Sequence, residues 1–488
     1  MPATNIGFTL GRILLLFAAF FLLPAVVSAG YGESETVLAF VAGAILTAFA
    51  GGLLMFSYRG VGGVPTKREI IVLPLVGWLA GGFFAGVPMA LAGAAPSLFE
   101  GFFEGLSGLT TTGATIIEDV DGTPRGILFW RALLQWVGGI ATLAFAIAIA
   151  PALDLGGARL INLALLHGEG GTLTDRLRGV AEPLLPVYVI LSLLCAVLYW
   201  AAGMPLFDAV CHALSTVSSG GFSTRSESLA AFHAPLVELV AVPFMILAAT
   251  NFTYHWATLR RRQFLYWRDP EIRLLGALFL IGVIAIVAGG LVQSHLSGGG
   301  PGLAHDLRVA VVSAASAAST TGFVASGEVP LTLFGVVALC ALLFVGGGMG
   351  STAGGLKAMR LLILMRHAGC ELARLAHPSS IARLNYLQRK VAGHSLSGVW
   401  VVYFLFLVAL ALVAVGFAAT GQNLETAFYL ALTALSNAGP IMGALDPGFS
   451  GFHHLGDDAL AVYVLAMTAG RIEIITALAL LAPAIWRR

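Results

Sequence analysis

The chain has 488 residues, of which 58% are apolar and only 10% charged, with 26 Lys and Arg balancing 25 Asp and Glu. A soluble domain carries about 25% charged residues, and a soluble chain of this length cannot hide so much apolar surface. A soluble enzyme, a disordered regulator and a nucleic-acid binder are excluded, and a net charge of +1 selects no charged partner.

What remains is an all-α polytopic membrane protein, in which each crossing of a bilayer core about 30 Å thick takes about 20 apolar residues. In chain order the long apolar runs fall at 8–29, 36–56, 70–95, 126–152, 183–203, 232–258, 272–296, 331–365, 396–419 and 459–486. The first, with Arg12 ahead and Val27-Ser28-Ala29 at its end, has the look of a signal peptide. A second long run follows at once and predicts an uncleaved helical hairpin instead. The run at 331–365 is interrupted by Gly346-Gly347-Gly348-Met349-Gly350-Ser351, which predicts a helix broken within the membrane. Shorter runs near 98–112, 206–219, 304–320 and 424–437 cannot cross and predict re-entrant or buried helices. Cys195, Cys211, Cys340 and Cys370 show no metal or redox spacing.

Charge orients the chain. Arg12, Arg59, Lys67, Arg68, Arg159, Arg176, Arg178, Arg260, Arg261, Arg262, Arg268, Arg273, Arg360, Arg366, Arg374, Arg383, Arg389, Lys390, Arg487 and Arg488 assign 20 of the 26 basic residues to one face. Glu33, Glu35, Glu118, Asp119, Asp121, Asp446, Asp457 and Asp458 fall on the other. Both termini are therefore expected in the cytoplasm. The acidic outer loops either gather cations or simply lack Lys and Arg as translocated loops do.

The four short runs end alike: Thr110-Thr111-Thr112-Gly113-Ala114, Ser218-Ser219-Gly220-Gly221-Phe222, Ser319-Thr320-Thr321-Gly322-Phe323 and Ser436-Asn437-Ala438-Gly439-Pro440. The final glycines are spaced 108, 101 and 117 residues apart, and six residues before each stands Ser107, Ser215, Ser316 or Thr433. Leu98-Phe99-Glu100 and Leu206-Phe207-Asp208 share a start as well. Four copies in register, each between two long runs, predict a repeated unit of long helix, short helix, Gly loop and long helix. Non-helical backbone at membrane depth must be buried in protein or line a watery path. Four such loops can direct backbone carbonyls at one axis, where carbonyl rings replace the hydration shell of an alkali cation. A small-residue helix-packing motif would explain one Gly but not the register.

These residues carry a resemblance to the TrkH family of potassium-uptake membrane subunits, within the Trk/Ktr/HKT superfamily. It rests on Trp130-Arg131-Ala132-Leu133-Leu134-Gln135-Trp136-Val137-Gly138-Gly139, on Leu206-Phe207-Asp208-Ala209-Val210-Cys211-His212-Ala213, on Ser215-Thr216-Val217 running into Gly220-Gly221-Phe222-Ser223-Thr224, on Gly350-Ser351-Thr352-Ala353-Gly354-Gly355-Leu356-Lys357, and on Gly470-Arg471-Ile472-Glu473. The resemblance covers nearly the whole chain. It implies a hairpin followed by four pore units around one axis, with a potassium filter made by Thr111, Thr112 and Gly113, Ser219, Gly220 and Gly221, Thr320, Thr321 and Gly322, and Asn437, Ala438 and Gly439. Gly at all four final positions is what the potassium-selective members show. Gly348-Met349 departs from the Cys-Ala pair expected in the broken helix.

The resemblance also implies an intramembrane gate at Gly346, Gly347, Gly348, Met349, Gly350 and Ser351, with Lys357 just beyond. The other reading of Lys357 is a snorkelling residue near a helix end. Arg471 is expected midway along the last helix, with Glu473 on another face. It reads either as a fixed positive barrier below the filter or as half of a structural ion pair. Arg125, Arg131, Arg225 and Arg308 read as interfacial or outer-loop residues, and Trp130, Trp136, Trp200, Trp256, Trp267 and Trp486 as an aromatic belt.

The units are expected at 70–158, 159–262, 263–385 and 386–488, after a hairpin and loop at 1–69. No phosphate-binding motif stands in the chain, so no cofactor is expected on it. The resemblance implies a bacterial inner-membrane homodimer in lipid, with potassium as substrate and a TrkA-type cytoplasmic subunit that binds NAD or ATP. The basic stretches 260–273 and 366–390 are candidate docking faces or plain positive-inside charge. An alternating-access transporter, with symport of another ion, is the competing class, though such carriers usually show inverted repeats. A membrane enzyme lacks any nucleophile–base or metal-ligand constellation here.

Overall fold

The computed structural model describes residues 5–60, 67–146, 173–262, 266–297, 302–325, 331–378, 384–386, 389–390 and 393–473. The chain opens with α1 (Asn5–Phe20) and α2 (Leu22–Gly30), which form one span, and α3 (Ser34–Ser57) returns against them. Glu33, at the hairpin turn, accepts hydrogen bonds from Arg125 N (2.6 Å) and Gly126 N (3.0 Å). The hairpin thereby supplies acceptors to the unpaired first turn of a later helix.

Four units follow. The first comprises α4 (Lys67–Leu91), α5 (Leu98–Leu109) and α6 (Arg125–Ala144). The second comprises α7 (Leu173–Ala201), α8 (Leu206–Val217), α9 (Pro235–Ala248) and α10 (Phe252–Arg261). The third comprises α11 (Pro270–Ser297), α12 (Leu303–Ala318), α13 (Leu333–Val345) and α14 (Ala358–Ala376). A small antiparallel ladder of β1 (Asn385–Tyr386) and β2 (Arg389–Lys390) precedes the fourth. That unit comprises α15 (Gly393–Ala419), α16 (Leu424–Leu435), α17 (Met442–Leu445) and α18 (Asp457–Arg471). Among the described residues seven helical stretches are long and apolar enough to cross a membrane, or eight if α9 and α10 count as one bent span. Their outer faces stay apolar and exposed, as at Leu38, Phe49, Leu280, Ile284, Phe404 and Leu412, where lipid replaces water as the solvent.

The short helices α5, α8, α12 and α16 stand where the four short runs predict them, each packed between the long helices of its unit. They are short because their ends are capped and because the segments after them turn back. Ser97 accepts from Glu100 N at 3.2 Å and Asn423 from Thr426 N at 2.8 Å, the first-turn capping expected of Ser and Asn.

Three expectations fail. The run at 232–258 is not one straight helix: α9 and α10 meet at 95° across Ala249–Asn251. The freed Leu247 carbonyl accepts from Thr250 Oγ1 (2.8 Å) and lies 3.0 Å from His255 Nε2, while Asn251 Oδ1 caps α10 through Thr253 N (2.9 Å). Second, α18 ends at Arg471, so this residue closes a helix rather than standing midway, and Glu473 lies beyond it with φ +63°. The end of that run, with Trp486, Arg487 and Arg488, lies outside the described residues. Third, Trp130 and Arg131 are not interfacial. Both are 1% exposed, and Trp130 Nε1 donates to Ala85 O at 3.0 Å within a cluster holding Phe17, Phe21 and Phe40.

Candidate functional site

Each short helix ends in the same hydrogen-bonded turn. Thr112 N, Gly220 N, Thr321 N and Ala438 N donate to Ser107 O, Ser215 O, Ser316 O and Thr433 O at 2.8, 2.9, 2.9 and 2.9 Å. One residue earlier, Thr111 N, Ser219 N, Thr320 N and Asn437 N donate to Gly108 O, Thr216 O, Ala317 O and Ala434 O at 3.0–3.2 Å. This is a Schellman helix end four times over. The small hydroxyl residues six before each Gly therefore matter through their carbonyls, which accept the longer bond.

The residue after each cap is left-handed: φ is +51° at Thr111, +55° at Ser219, +54° at Thr320 and +51° at Asn437. Glycine usually holds that position, because a Cβ there costs an L-residue about 1–2 kcal/mol. Two residues on, Gly113, Gly221 and Gly322 return to positive φ (+77°, +80°, +86°), with an ordinary residue between. Alternating hands turn successive carbonyls toward one side instead of opposite sides, which needs Gly where φ is positive and space is short. The fourth loop departs from this pattern. Gly439 has no positive φ and starts a 3₁₀ turn, Gly439–Ile441.

The loops close a ring. A Cβ at Gly113 would fall on Gly220 O, and one at Gly221 on Thr321 O. One at Gly322 would lie 3.2 Å from Ile441 N, and one at Gly439 would fall against Ala114, 2.5 Å from its nitrogen. Loops 1 to 2, 2 to 3, 3 to 4 and 4 to 1 are thus neighbours. Asn437 Nδ2 to Thr112 Oγ1 (2.9 Å) and Gly439 N to Thr112 O (2.6 Å) tie the last junction. The Pro440 ring faces all the other three glycines, 2.8–3.0 Å from where their Cβ atoms would stand. Nothing in the fourfold alignment marked it out.

Braces behind the ring went unread in the sequence. Glu104 of α5 accepts from Arg131 Nε (2.8 Å), Thr115 Oγ1 (3.0 Å) and Ile116 N (3.0 Å). Arg131 also donates to Ser223 O at 3.1 Å and covers the Phe222 ring at 4.1 Å, so one buried ion pair fixes the segments leaving loops 1 and 2. Gln135 Oε1 accepts from Phe222 N at 3.2 Å. His212, which the 108-residue spacing aligns with Glu104, lies 3.0 Å from Ser223 Oγ. The spacing could have paired these two positions; nothing local could have found Arg131 as the partner.

Above the ring opens a cavity of about 510 Å³ lined by Gly113, Gly221 and Gly439 at its floor and by Glu118, Arg225 and Glu227 among its wall residues. Arg225 pairs with Asp121 at 3.4 Å. Burial pushes the Asp121 carboxyl up, but hydrogen bonds from Ser226 and Arg225 and the Arg225 charge outweigh it and hold that group below its usual value.

Below the ring lies the break after α13. Gly346, Gly347, Gly348, Met349, Gly350 and Ser351 leave the helix, and the chain returns at Leu356 N to Phe344 O (3.0 Å), Lys357 N to Val345 O (2.8 Å) and Ala358 N to Gly347 O (3.1 Å). The loop between touches the ring at several points. Thr352 Oγ1 is 2.8 Å from Ser219 Oγ, Thr320 Oγ1 accepts from Gly354 N at 2.7 Å, and a Cβ at Gly354 would fall on Ser436 O. Lys357 does not snorkel: it is buried and donates from Nζ to Ala353 O. Arg471 donates to Thr352 O at 2.9 Å, while its Nε and Nη2 have no hydrogen-bond partner among the described residues. Among the described residues no carboxylate pairs with Arg471, as its reading as half of a structural ion pair would require. Glu473 pairs instead with Arg360 at 2.6 Å, and Arg360 is buried rather than in a cytoplasmic loop. A cavity of about 30 Å³, large enough for water, borders Gly354, Lys357, Arg360, Arg471 and Glu473.

Fold and ring place the chain among multi-pass α-helical membrane proteins built from four units that each turn back at a short helix. Residues 39–488 match the model of the TrkH family, described as a cation transport protein, and the chain belongs to that family. It is 33% identical over 482 residues to the Trk system potassium uptake protein TrkH of Vibrio parahaemolyticus and 32% identical over 487 residues to that of Escherichia coli, covering 98% of each chain. The Trk system potassium uptake protein TrkG of Escherichia coli is 32% identical over 485 residues, covering 98% of this chain and 97% of that one. The crystal structure of the potassium transporter TrkH from Vibrio parahaemolyticus superposes with a TM-score of 0.90 over the whole of both chains, at 31% identity. The family is one of cation transporters and not a class of enzymes.

Proposed function

We propose that this protein carries potassium ions across the bacterial inner membrane through the ring of four loops. The observation that carries the reading is the fourfold repetition of one strained helix end, Thr111, Ser219, Thr320 and Asn437, around a closed ring. Four short helices also aim their C-terminal ends at it, where the helix dipole favours a cation. The potassium filter comprises Thr111 to Gly113, Ser219 to Gly221, Thr320 to Gly322 and Asn437 to Gly439, carbonyls taking the place of water. The printed names of the relatives, potassium uptake proteins, support the choice of ion. The loop at 346–355 is the gate, with Lys357 at its neck and Arg471 as a fixed charge beside it.

The four units divide near 69/70, 158/159, 262/263 and 385/386; the first of these falls within the opening turn of α4 and the last within β1, while 158/159 and residue 263 lie outside the described residues. The bias of basic residues orients both termini to the cytoplasm. The family resemblance supports a homodimer and a TrkA-type subunit that holds NAD or ATP and acts from the cytoplasmic side. The stretches 260–273 and 366–390, described in part, are its docking faces.

The experiment is growth of a potassium-uptake-deficient bacterium at low potassium, with this chain alone and with a candidate soluble subunit. Growth with wild type and none with Gly221→Asp supports the reading. No rescue by a well-expressed chain in either setting overturns it.

A further inference from the structure

The loop beneath the ring is held from below by a residue no motif pointed to. Glu271 lies in the first turn of α11, buried, and its Oε1 accepts from both Met349 N and Met359 N at 2.9 Å. Those two donors are 78 and 88 residues away in sequence. They stand on either side of Lys357: Met349 within the loop, Met359 in the first turn of α14. One carboxylate oxygen therefore ties the descending and returning arms together. Gly348 lies against the same group, where a Cβ would come 3.4 Å from Oε1. The Met349 and Met359 side chains pack with Ile363, Leu364, Tyr386 and Val399 in a cluster separate from the main core.

The far side of the loop rests in the elbow between α9 and α10. Gly348 N donates to Ala249 O (2.8 Å), Thr352 N to Ala248 O (3.2 Å) and Phe252 N to Gly350 O (3.0 Å). The elbow also reaches Glu271. Tyr254 of α10 donates to Asp269 Oδ2, and Asp269 Oδ1 accepts from Glu271 N at 2.7 Å. α10, turned 95° from α9 and ending in Arg260 and Arg261, thus touches the loop at Gly350 and, through Asp269, the turn that carries Glu271.

We propose that Glu271 is the latch of the intramembrane loop, a positioning residue that keeps the loop under the ring, and that α10 bears on it through Tyr254 and Asp269. The inference rests on the reading of 346–355 as the gate. One oxygen accepts from both arms of the loop, so weakening that single acceptor loosens both arms at once. Loosening the acceptor step by step therefore releases the loop step by step, with no residue of the ring changed.

The test is potassium flux per molecule in proteoliposomes for the full chain, Glu271→Gln, Glu271→Ala, and deletion of Gly347 to Met349 as a control on the gate itself. Glu271→Gln keeps the shape and weakens the acceptor, and is expected to raise flux a few-fold. Glu271→Ala removes it and is expected to raise flux on the order of tenfold, the ratio that about 1.4 kcal/mol produces. Potassium preference over sodium stays unchanged in both. A merely structural role would lower flux together with the melting temperature, so a rise in flux separates the two. If Glu271→Ala does not fold, Glu271→Gln decides alone. Wild-type or lowered flux in folded Glu271→Gln, while the deletion conducts faster, overturns the latch and leaves the gate. A deletion that folds and conducts no faster overturns the gate and the latch with it.

Discussion

The ring and the floor beneath it are built on opposite plans. The ring is made four times, with the same two backbone hydrogen bonds and the same left-handed residue in each copy. Among the described residues the floor is made once: the third unit sends a long loop under the ring, the fourth ends a helix in a buried Arg there, and the second bends by 95° to receive the loop. A carbonyl cage around a cation needs oxygens from several sides, so repetition suits it. An obstacle on an axis needs a single occupant, since four cannot share the same point, so the floor must break the symmetry. On the proposed reading, selectivity is distributed over the chain, whereas control is concentrated in one junction of three units.

The sharpest way to break that comparison is at the braces. Arg131→Ala leaves Glu104 buried without its cation, and removal of one partner from a buried pair costs about 3–5 kcal/mol. Loss of folded protein in detergent is the expected result, because Arg131 holds loops 1 and 2 together. A variant with a wild-type melting temperature would show the loops to be independent.

Next comes the ring itself. Gly113→Ser places a side chain at φ +77° where a Cβ meets Gly220 O. The left-handed strain alone is about 1–2 kcal/mol, and the displaced carbonyl belongs to the neighbouring loop. Potassium preference over sodium should fall about tenfold in competition flux assays, the ratio that about 1.4 kcal/mol of lost discrimination produces. Unchanged preference would detach selectivity from the ring.

Arg471→Ala tests the floor. At an effective dielectric near 20, a fixed charge about 5 Å from a passing ion opposes it by about 3 kcal/mol, an upper figure that water lowers. Potassium flux should rise about tenfold with the order of ion preference intact. Among the described residues the side chain makes one hydrogen bond, to Thr352 O, so the accompanying loss of stability should stay near 1 kcal/mol. Unaltered flux in a folded variant would remove Arg471 from the barrier.

The smallest effect is a gain. Thr111 is β-branched and left-handed, and its Oγ1 has no hydrogen-bond partner among the described residues. Thr111→Gly should therefore stabilise the protein by about 1 kcal/mol, read as a higher melting temperature. A lower one would mean that the methyl packing of Thr111 outweighs its strain. Thr320→Gly, which also loses the bond from Gly354 N, should gain less.

The sequence by itself determined what depends on local pattern and period. Apolar runs of bilayer length located the long helices, runs too short to cross located α5, α8, α12 and α16, and the register of Gly113, Gly221, Gly322 and Gly439 announced four loops. Gly346 to Ser351 announced the break, because a glycine run cannot hold a helix. Thr250-Asn251 carried a capping signal for the bend of α9 into α10, but it was hidden inside a run that hydropathy alone reads as continuous. Only the tertiary structure decided where the charges go. Glu104 meets Arg131 across 27 residues, Arg360 meets Glu473 across 113, and Glu271 meets Met349 across 78. A buried charge takes whichever partner the packing of distant helices brings within about 3 Å, and one-dimensional spacing does not encode that distance.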